Sequence, residues 1–198
     1  MSSSRVEQRV RGLISPLVAA LDALGVSPNA LTIFGLLLNF AAAAIVGMGE
    51  LVYGAVAFLV ASGFDMLDGS LARRRGEASR LGAFLDSTFD RLSETALFVA
   101  LLVDNARNPY GPEWMAPVIL VALAGSLTTS YARARSESLG QDCKVGWLER
   151  PERVVLLVLG LVLGRAVLGY AIFALAVLSW VTVVQRIAHV ARNIDRDG

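Results

Sequence analysis

Long stretches without a charged side chain divide this sequence into segments. Such runs cover residues 23–49, 51–64, 95–103, 114–132, 154–164 and 166–185. A helix needs about 20 mostly apolar residues to cross a bilayer, and the first, fourth and last runs meet that length unaided. The other three runs reach it only if charged residues enter the membrane.

The spacing of these runs predicts six transmembrane helices. We place them near residues 29–48, 52–74, 81–103, 115–135, 152–165 and 167–188. Ahead of them, residues 2–24 carry three arginines and then an apolar stretch broken by Pro16 and Asp22, which is typical of an amphipathic helix in the membrane interface. We therefore expect an all-α polytopic membrane protein of one domain over residues 1–198, with an interfacial helix over 1–27 and a six-helix transmembrane bundle over 28–190.

The overall composition supports a membrane protein. Apolar residues make up 55% of the 198-residue chain and charged residues 18%, with a mean hydropathy of +0.59, whereas soluble domains carry about 25% charged residues. These values exclude a disordered chain and a coiled coil, and the single cysteine excludes a disulfide-stapled secreted module. The net charge is +1, and no nucleic acid is expected among the partners.

The basic residues are distributed unequally between the two ends of the predicted helices. Of the 18 lysines and arginines, 15 fall on the side of the N-terminus, Arg91 lies within a helix, and only Arg107 and Arg165 fall on the other side. Because basic residues accumulate in cytoplasmic loops, both termini should be cytoplasmic. We expect a multi-pass protein of the cell membrane whose functional site faces the cytoplasm.

Four aspartates interrupt the apolar pattern where the second predicted helix ends and the third begins. Asp65 and Asp68 are three residues apart, and Asp86 and Asp90 are four apart, so each pair shares one face of its helix. The short connection between the two helices should make them antiparallel neighbours. The four carboxylates are then expected to converge near the cytoplasmic surface of the membrane.

Such a cluster is costly unless its charge is compensated, because each aspartate near the bilayer centre costs roughly 2.5–3.5 kcal/mol on insertion scales. Carboxylate oxygens favour hard cations, so the cluster predicts two divalent ions, Mg²⁺ or Mn²⁺, with coordination positions left open for phosphate oxygens. Two other interpretations stay open. The aspartates could form ion pairs with Arg73, Arg91 or Arg133, or the chain could belong to a different functional class, the cation transporters.

The same residues form a longer pattern, D-x2-D-G-x2-A-R-x8-G-x3-D-x3-D. Its fixed positions are occupied by Asp65, Asp68, Gly69, Ala72, Arg73, Gly82, Asp86 and Asp90. This pattern resembles the signature of the CDP-alcohol phosphotransferases, integral membrane enzymes that make phospholipid head groups, and residues 27–32 resemble the family's usual entry into its first helix. The resemblance implies an enzyme that works as a homodimer with two divalent metal ions and takes a CDP-linked lipid, CDP-diacylglycerol, as its donor.

By motif position, the resemblance also assigns roles to single residues. Asp65, Asp68 and Asp86 would ligate metal, and Asp90 would ligate metal and act as the catalytic base. The residues expected to contact the CDP-lipid lie in the motif or flank it: Asn29, Asp65, Asp68, Gly69, Ala72, Arg73 and Ser79. A carboxylate is suited to take the proton from an attacking hydroxyl, while the metals would neutralise the charge that develops on the departing CMP.

Three further segments concern the acceptor. Residues 130–135, 149–153 and 185–186 resemble the bacterial phosphatidylinositol phosphate synthases, in which a basic pocket binds the phosphate of inositol phosphate. The matching candidates for that pocket are Ser130, Arg133, Arg135, Arg153 and Arg186. The expected reaction transfers the phosphatidyl group from CDP-diacylglycerol to the hydroxyl of inositol phosphate. Two alternatives stay open: the arginines only orient the protein in the membrane, or the acceptor is glycerol 3-phosphate, as in a phosphatidylglycerophosphate synthase.

Overall fold

The fold was examined in a computed structural model, which describes residues 15–193 apart from the side chain of Asp65. All regular structure in this part of the chain is helical. A short helix, α1, covers residues 15–23. The six helices that follow are α2 Pro28–Gly47, α3 Leu51–Arg75, α4 Arg80–Arg107, α5 Met115–Ser138, α6 Arg150–Leu163 and α7 Arg165–Asn193.

The helix ends follow from local sequence. Ser27 caps α2 by accepting a hydrogen bond from the amide of Ala30 at 3.2 Å, and Pro28 has the backbone angle that a first helical residue needs. Gly76 ends α3 in the left-handed region with φ 68°, which favours glycine because it lacks a Cβ atom. Ser79 caps α4 through the amide of Gly82 at 3.0 Å.

Four of these helices, α2, α3, α5 and α7, are long and apolar enough to cross a membrane. They carry exposed apolar side chains, such as Tyr53 at 71% and Tyr170 at 78% exposure, which suit contact with lipid. The chain is therefore a membrane protein. α4 has many charged residues and α6 has only 14 residues, so the count of six spans stays a prediction. Residues 1–14 of the expected interfacial helix lie outside the described part of the chain.

Two helices organise the bundle. α2 packs against both α3 and α4, and α7 packs against both α5 and α6. Small residues permit this close approach, since a side chain at Gly54 of α3 would collide with Val46 of α2. The core between the helices is apolar, and its most deeply buried members include Val46, Leu97, Phe98, Leu101, Ile119, Leu161 and Ile172.

The two aspartate-bearing helices are arranged differently from the expectation. Among the described residues, the extensive helix contacts do not include α3 against α4, because α2 lies against both. The physical reason is the composition of the facing stripes. The apolar side chains of α2 pack closely against both neighbours. The C-terminal end of α3 and the N-terminal end of α4 carry carboxylates and arginines, which do not pack closely without a partner. The space between them is therefore suited to polar ligands.

A buried carboxylate ties the loops together at the end of the bundle opposite the aspartate motif. Asp104 of α4 is fully buried and accepts hydrogen bonds from the Tyr110 hydroxyl at 2.9 Å and the Asn108 amide at 2.8 Å. Arg165 reaches both of its oxygens at 3.3 Å and also donates to the carbonyl of Gly49 at 3.3 Å. Burial and the bond to Asp104 raise the pKa of Tyr110, so its hydroxyl keeps its proton and continues to donate.

We expect the replacement Asp104→Asn to lower the free energy of unfolding by about 3 kcal/mol, because it removes the charge of a fully buried carboxylate and leaves the Tyr110 and Arg165 donors poorly satisfied. The measurement is thermal unfolding of the purified protein in detergent. Asp142→Asn is the matched control, since Asp142 is 65% exposed and its ion pair with Lys144 lies at the surface. Equal melting temperatures for the two variants would contradict the prediction.

Candidate active site

The aspartate motif lies at the C-terminal end of α3 and the N-terminal end of α4, on either side of the connection over residues 76–79. Asp68 is buried, with 5% of its surface exposed, and its carboxylate also accepts a hydrogen bond from the Gly69 amide. Asp86 is exposed, and Asp90, one turn further along α4, has a side chain that is 13% exposed. The motif therefore grades from the surface at Asp86 into the protein interior at Asp68 and Asp90.

Asp90 is held by two arginines. Arg150, at the start of α6, places Nη1 at 2.6 Å from one carboxylate oxygen, and the adjacent Arg91 places Nη1 at 3.4 Å from the other. The contact with Arg150 joins the aspartate motif to the segment that resembles an acceptor pocket. Sequence reasoning did not find this contact, because nothing in the spacing relates residues that are 60 positions apart.

Every candidate metal ligand of the motif is a carboxylate oxygen, which is the type of ligand that hard divalent cations prefer. Within the described side chains, which do not include Asp65, no group of three or more histidine, cysteine, aspartate or glutamate residues is close enough to hold a metal ion. The metal ligation expected of Asp65, Asp68, Asp86 and Asp90 thus stays a prediction.

Several expected nucleotide contacts lie beside Asp68 on α3. Arg73 is exposed, and its Nη2 donates to the Ser70 hydroxyl at 3.2 Å. A Cβ atom at Gly69 would lie 3.3 Å from Nη1 of Arg73, so the glycine leaves room for the guanidinium to fold back along the helix. Ala72 is half-buried on the same helix. This arrangement presents an exposed cation next to a buried carboxylate.

The two flanking candidates have different local roles. Asn29 is exposed in the first turn of α2. The hydroxyl oxygen of Ser79 accepts from the Gly82 amide as the cap of α4, so its local role is to begin the helix that carries Asp86 and Asp90. A hydroxyl that accepts a capping bond can still donate to a ligand, because it carries its own proton.

Two salt bridges attach α1 to the C-terminal end of α3. Arg75 donates from Nε to Asp22 at 2.6 Å and from its terminal nitrogens to the carbonyls of Asp22 and Val26, and Arg74 donates to the other Asp22 oxygen at 3.0 Å. The hydrogen bond from Arg75, followed by that from Arg74, lowers the pKa of the Asp22 carboxyl. The expected interfacial segment is thus anchored close to the aspartate motif, a contact that the sequence pattern did not indicate.

The four arginines expected to bind the acceptor divide into a buried pair and a pair nearer the surface. Arg153 and Arg186 each have only 3% of their surface exposed. Arg133, which is half-buried, forms an ion pair with Glu137 at 2.8 Å, and Arg135, which is exposed, lies 3.4 Å from the Ser138 hydroxyl. Surface arginines are explained by membrane orientation alone, but two buried arginines require specific partners.

Those partners come from neighbouring helices. Arg186 of α7 donates from Nη1 to the carbonyl of Thr129 at 2.6 Å and from Nε to the carbonyl of Val145 at 2.9 Å. Arg153 of α6 donates from Nε to Glu94 of α4 at 3.1 Å. Ser130, next to Thr129 on α5, is 8% exposed. Four helices therefore contribute to one buried polar layer on the same side of the bundle as the aspartate motif.

Comparison with known families identifies the motif. The profile of the CDP-alcohol phosphatidyltransferases matches residues 25–187. The chain belongs to that family. As a CDP-alcohol phosphatidyltransferase it is a transferase of phospholipid synthesis, which confirms the family resemblance of the aspartate pattern and excludes the alternative of a cation transporter.

Relatives and solved structures extend this comparison. The chain is 37% identical to archaetidylinositol phosphate synthase of Methanothermobacter thermautotrophicus over 93% of its own length and 92% of that protein. It is 37% identical to phosphatidylinositol phosphate synthase of Mycobacteroides abscessus over 91% and 84% of the two chains. The fold is similar to that of Mycobacterium tuberculosis phosphatidylinositol phosphate synthase with CDP-DAG bound, at 34% identity and a TM-score of 0.81 over 87% and 90% of the chains. A structure of the same enzyme with manganese and citrate gives a TM-score of 0.82 at 35% identity over 87% and 86%.

Proposed function

We propose that this CDP-alcohol phosphatidyltransferase transfers the phosphatidyl group from CDP-diacylglycerol to the hydroxyl of inositol phosphate, giving phosphatidylinositol phosphate and CMP. The observation that supports the proposal is the ion-pair contact between α4 and α6. Arg150 lies 2.6 Å from Asp90, and the buried Arg153 is one turn further along the same helix. A cationic site for a phosphorylated acceptor is therefore adjacent to the carboxylate that the motif assigns as base.

The inner ends of α2, α3 and α4 would hold the donor. The residues proposed to contact CDP-diacylglycerol are Asn29, Asp65, Asp68, Gly69, Ala72, Arg73 and Ser79. Support comes from the solved relative with CDP-DAG bound and from the exposed guanidinium of Arg73 beside Gly69. The apolar outer surface of the bundle lets the acyl chains stay in the lipid while the pyrophosphate lies at the interface.

Asp65, Asp68, Asp86 and Asp90 would hold two divalent ions, Mg²⁺ or Mn²⁺, which a solved relative with manganese supports. Bound there, such ions would supply compensation for negative charge on the pyrophosphate of the donor. Asp90 would take the proton from the acceptor hydroxyl as the hydroxyl oxygen forms a bond to the β-phosphorus. The bond from that phosphorus to the departing CMP would break at the same time. A carboxylate close to a hydroxyl performs this proton transfer without a large rearrangement.

The acceptor phosphate would be bound by Ser130, Arg133, Arg135, Arg153 and Arg186. The buried pair, Arg153 and Arg186, is the more selective part of this set, because a buried guanidinium is costly to keep unless the groups around it compensate its charge. The pair nearer the surface, Arg133 and Arg135, would attract a phosphorylated acceptor from solution. An acceptor without a phosphate would satisfy neither part.

In the membrane we propose the following arrangement. The chain forms one domain over residues 1–198 with six transmembrane helices, α4 and α6 included, and an interfacial helix of which residues 15–23 are described as α1. Both termini and the site face the cytoplasm of the cell membrane, as the distribution of arginines indicates. The enzyme works as a homodimer, as its family resemblance implies.

A competition assay tests the acceptor. Purified enzyme receives labelled CDP-diacylglycerol with equal concentrations of inositol phosphate, glycerol 3-phosphate, inositol and serine, and the lipid products are separated. We expect the product from inositol phosphate to exceed each of the others by about tenfold or more, because a site built for a phosphate rejects acceptors that leave its cations unpaired.

Each alternative product identifies a different function. A preference for glycerol 3-phosphate would replace the proposal with phosphatidylglycerophosphate synthesis. A preference for free inositol or serine would contradict a phosphate site altogether. A reaction without CDP-diacylglycerol gives the background level of each product.

A further inference from the structure

Glu94 is a largely buried acidic residue that the proposed transfer reaction does not use directly. It lies on α4 four residues after Asp90, so it continues the stripe of Asp86 and Asp90 by one more turn toward the middle of the bundle. Its side chain is only 12% exposed. A carboxylate at this depth needs specific partners to compensate its charge.

Two partners reach the same oxygen of Glu94. Arg153 of α6 donates from Nε at 3.1 Å, and its side chain is 4% exposed. The Ser126 hydroxyl of α5 donates to that oxygen at 2.5 Å, and Ser126 is 1% exposed. Glu94 is therefore fixed by α5 from one side and holds a guanidinium of α6 on the other.

The use of Nε has a geometric consequence for Arg153. A guanidinium is a rigid planar fork, so a carboxylate bound at Nε fixes the direction of the two terminal nitrogens. In the described part of the chain, the hydrogen bonding of Arg153 runs through Nε, which leaves Nη1 and Nη2 for a phosphate. Arg150, one turn earlier on α6, is engaged by Asp90. The two ion pairs align α6 with the catalytic stripe of α4.

We propose that Glu94 is a positioning residue for the acceptor. It orients the buried Arg153 so that the terminal nitrogens of its guanidinium bind the acceptor phosphate at a fixed distance from Asp90. This inference rests on the proposed function. It assigns to Glu94 an effect on acceptor binding, not on donor binding or on the proton transfer itself.

The test measures steady-state kinetics of Glu94→Gln with inositol phosphate and CDP-diacylglycerol varied separately. Glutamine keeps the shape and the acceptor oxygen but removes the charge that fixes Arg153. We expect the KM for inositol phosphate to rise about tenfold or more, because small displacements of a substrate-binding group have effects of this size. The kcat and the KM for CDP-diacylglycerol should stay within about twofold, since neither depends on uniform acceptor binding. Glu94→Asp, which keeps the charge, should restore part of the acceptor affinity.

Two controls separate positioning from a general structural role. Glu152→Gln removes a carboxylate that is exposed beside Arg153 on α6 and should leave all constants near those of the unmodified enzyme. In an Arg153→Lys background, Glu94→Gln should raise the acceptor KM much less than it does alone, since the two residues act as one unit.

The outcomes distinguish the two proposals. An active parent enzyme with an unchanged acceptor KM in Glu94→Gln overturns the positioning role, as does an equal fall in kcat/KM for both substrates. Additive effects of the two substitutions also overturn it. A parent enzyme that does not use inositol phosphate overturns the proposed function, and the assignment of Glu94 to that acceptor is then overturned with it.

Discussion

Asp90→Asn should reduce the release of CMP by about a thousandfold or more, since general bases commonly contribute factors of 10² to 10⁴ and this residue is also a proposed metal ligand. The amide keeps the shape of the carboxylate but cannot take a proton from the acceptor hydroxyl. It also weakens the 2.6 Å contact with Arg150, which removes a link between the catalytic stripe and α6. The measurement is labelled CMP released per enzyme at saturating concentrations of both substrates.

Donor binding gives the accompanying readout. The proposed CDP contacts lie mainly on α2 and α3, so the affinity of Asp90→Asn for CDP-diacylglycerol should stay within about threefold of the parent value. Asp142→Asn is a matched control, because that aspartate is exposed and forms an ion pair only with a surface lysine among the described residues. Normal turnover by Asp90→Asn would remove the base from the proposed mechanism.

Removal of divalent cations should abolish turnover completely, and addition of Mg²⁺ or Mn²⁺ should restore it. The reason is the charge of the site, in which four carboxylates and a pyrophosphate cannot be brought together without compensation. Purified enzyme is treated with a chelator, separated from it and assayed for CMP release across a series of metal concentrations. Turnover that persists without metal would contradict metal-assisted catalysis.

Unfolding provides a second measurement of the same metals. A metal that binds only the folded enzyme stabilises it by about 2.7 kcal/mol at a hundredfold excess over its dissociation constant. The melting temperature of the chelated enzyme should therefore rise with added Mn²⁺. In Asp90→Asn the rise should be smaller at each concentration, because one ligand is lost. Equal rises in the melting temperatures of the two proteins would indicate that the stabilising metal binds outside the aspartate motif.

The helices were largely predictable because their signals are local. Charge-free runs place the apolar helices, and the six helices over 28–193 begin and end within a few residues of the predicted bounds, except where α4 and α7 continue further as amphipathic turns. Ser27 with Pro28 and Gly76 mark helix ends by their own backbone and side-chain chemistry. The aspartate motif was equally visible, since spacings of three and four residues determine which side chains share a helical face.

Contacts between distant segments were not predictable in this way. The pairs Glu94 with Arg153 and Asp90 with Arg150 depend on which face of α6 meets α4. The hydropathy pattern does not specify this face, because rotating a helix about its axis changes its neighbours but not its sequence. The anchoring of α1 by Asp22 has the same origin, as does the placement of α2 against both α3 and α4.

The sequence alone determined that this chain is a membrane protein of helices, that its motif is that of a CDP-alcohol phosphatidyltransferase, and which aspartates and arginines are candidates. The membrane helices follow from the transfer of apolar side chains out of water, and the candidate residues follow from their spacing along a helix. Both depend only on short stretches of the sequence. Only the tertiary structure decided that Arg153 and Arg186 are buried while Arg133 and Arg135 lie nearer the surface, and which groups compensate each buried cation, Glu94 for Arg153 and two backbone carbonyls for Arg186. That decision depends on packing between helices, where the cost of an unpaired buried charge selects the partner.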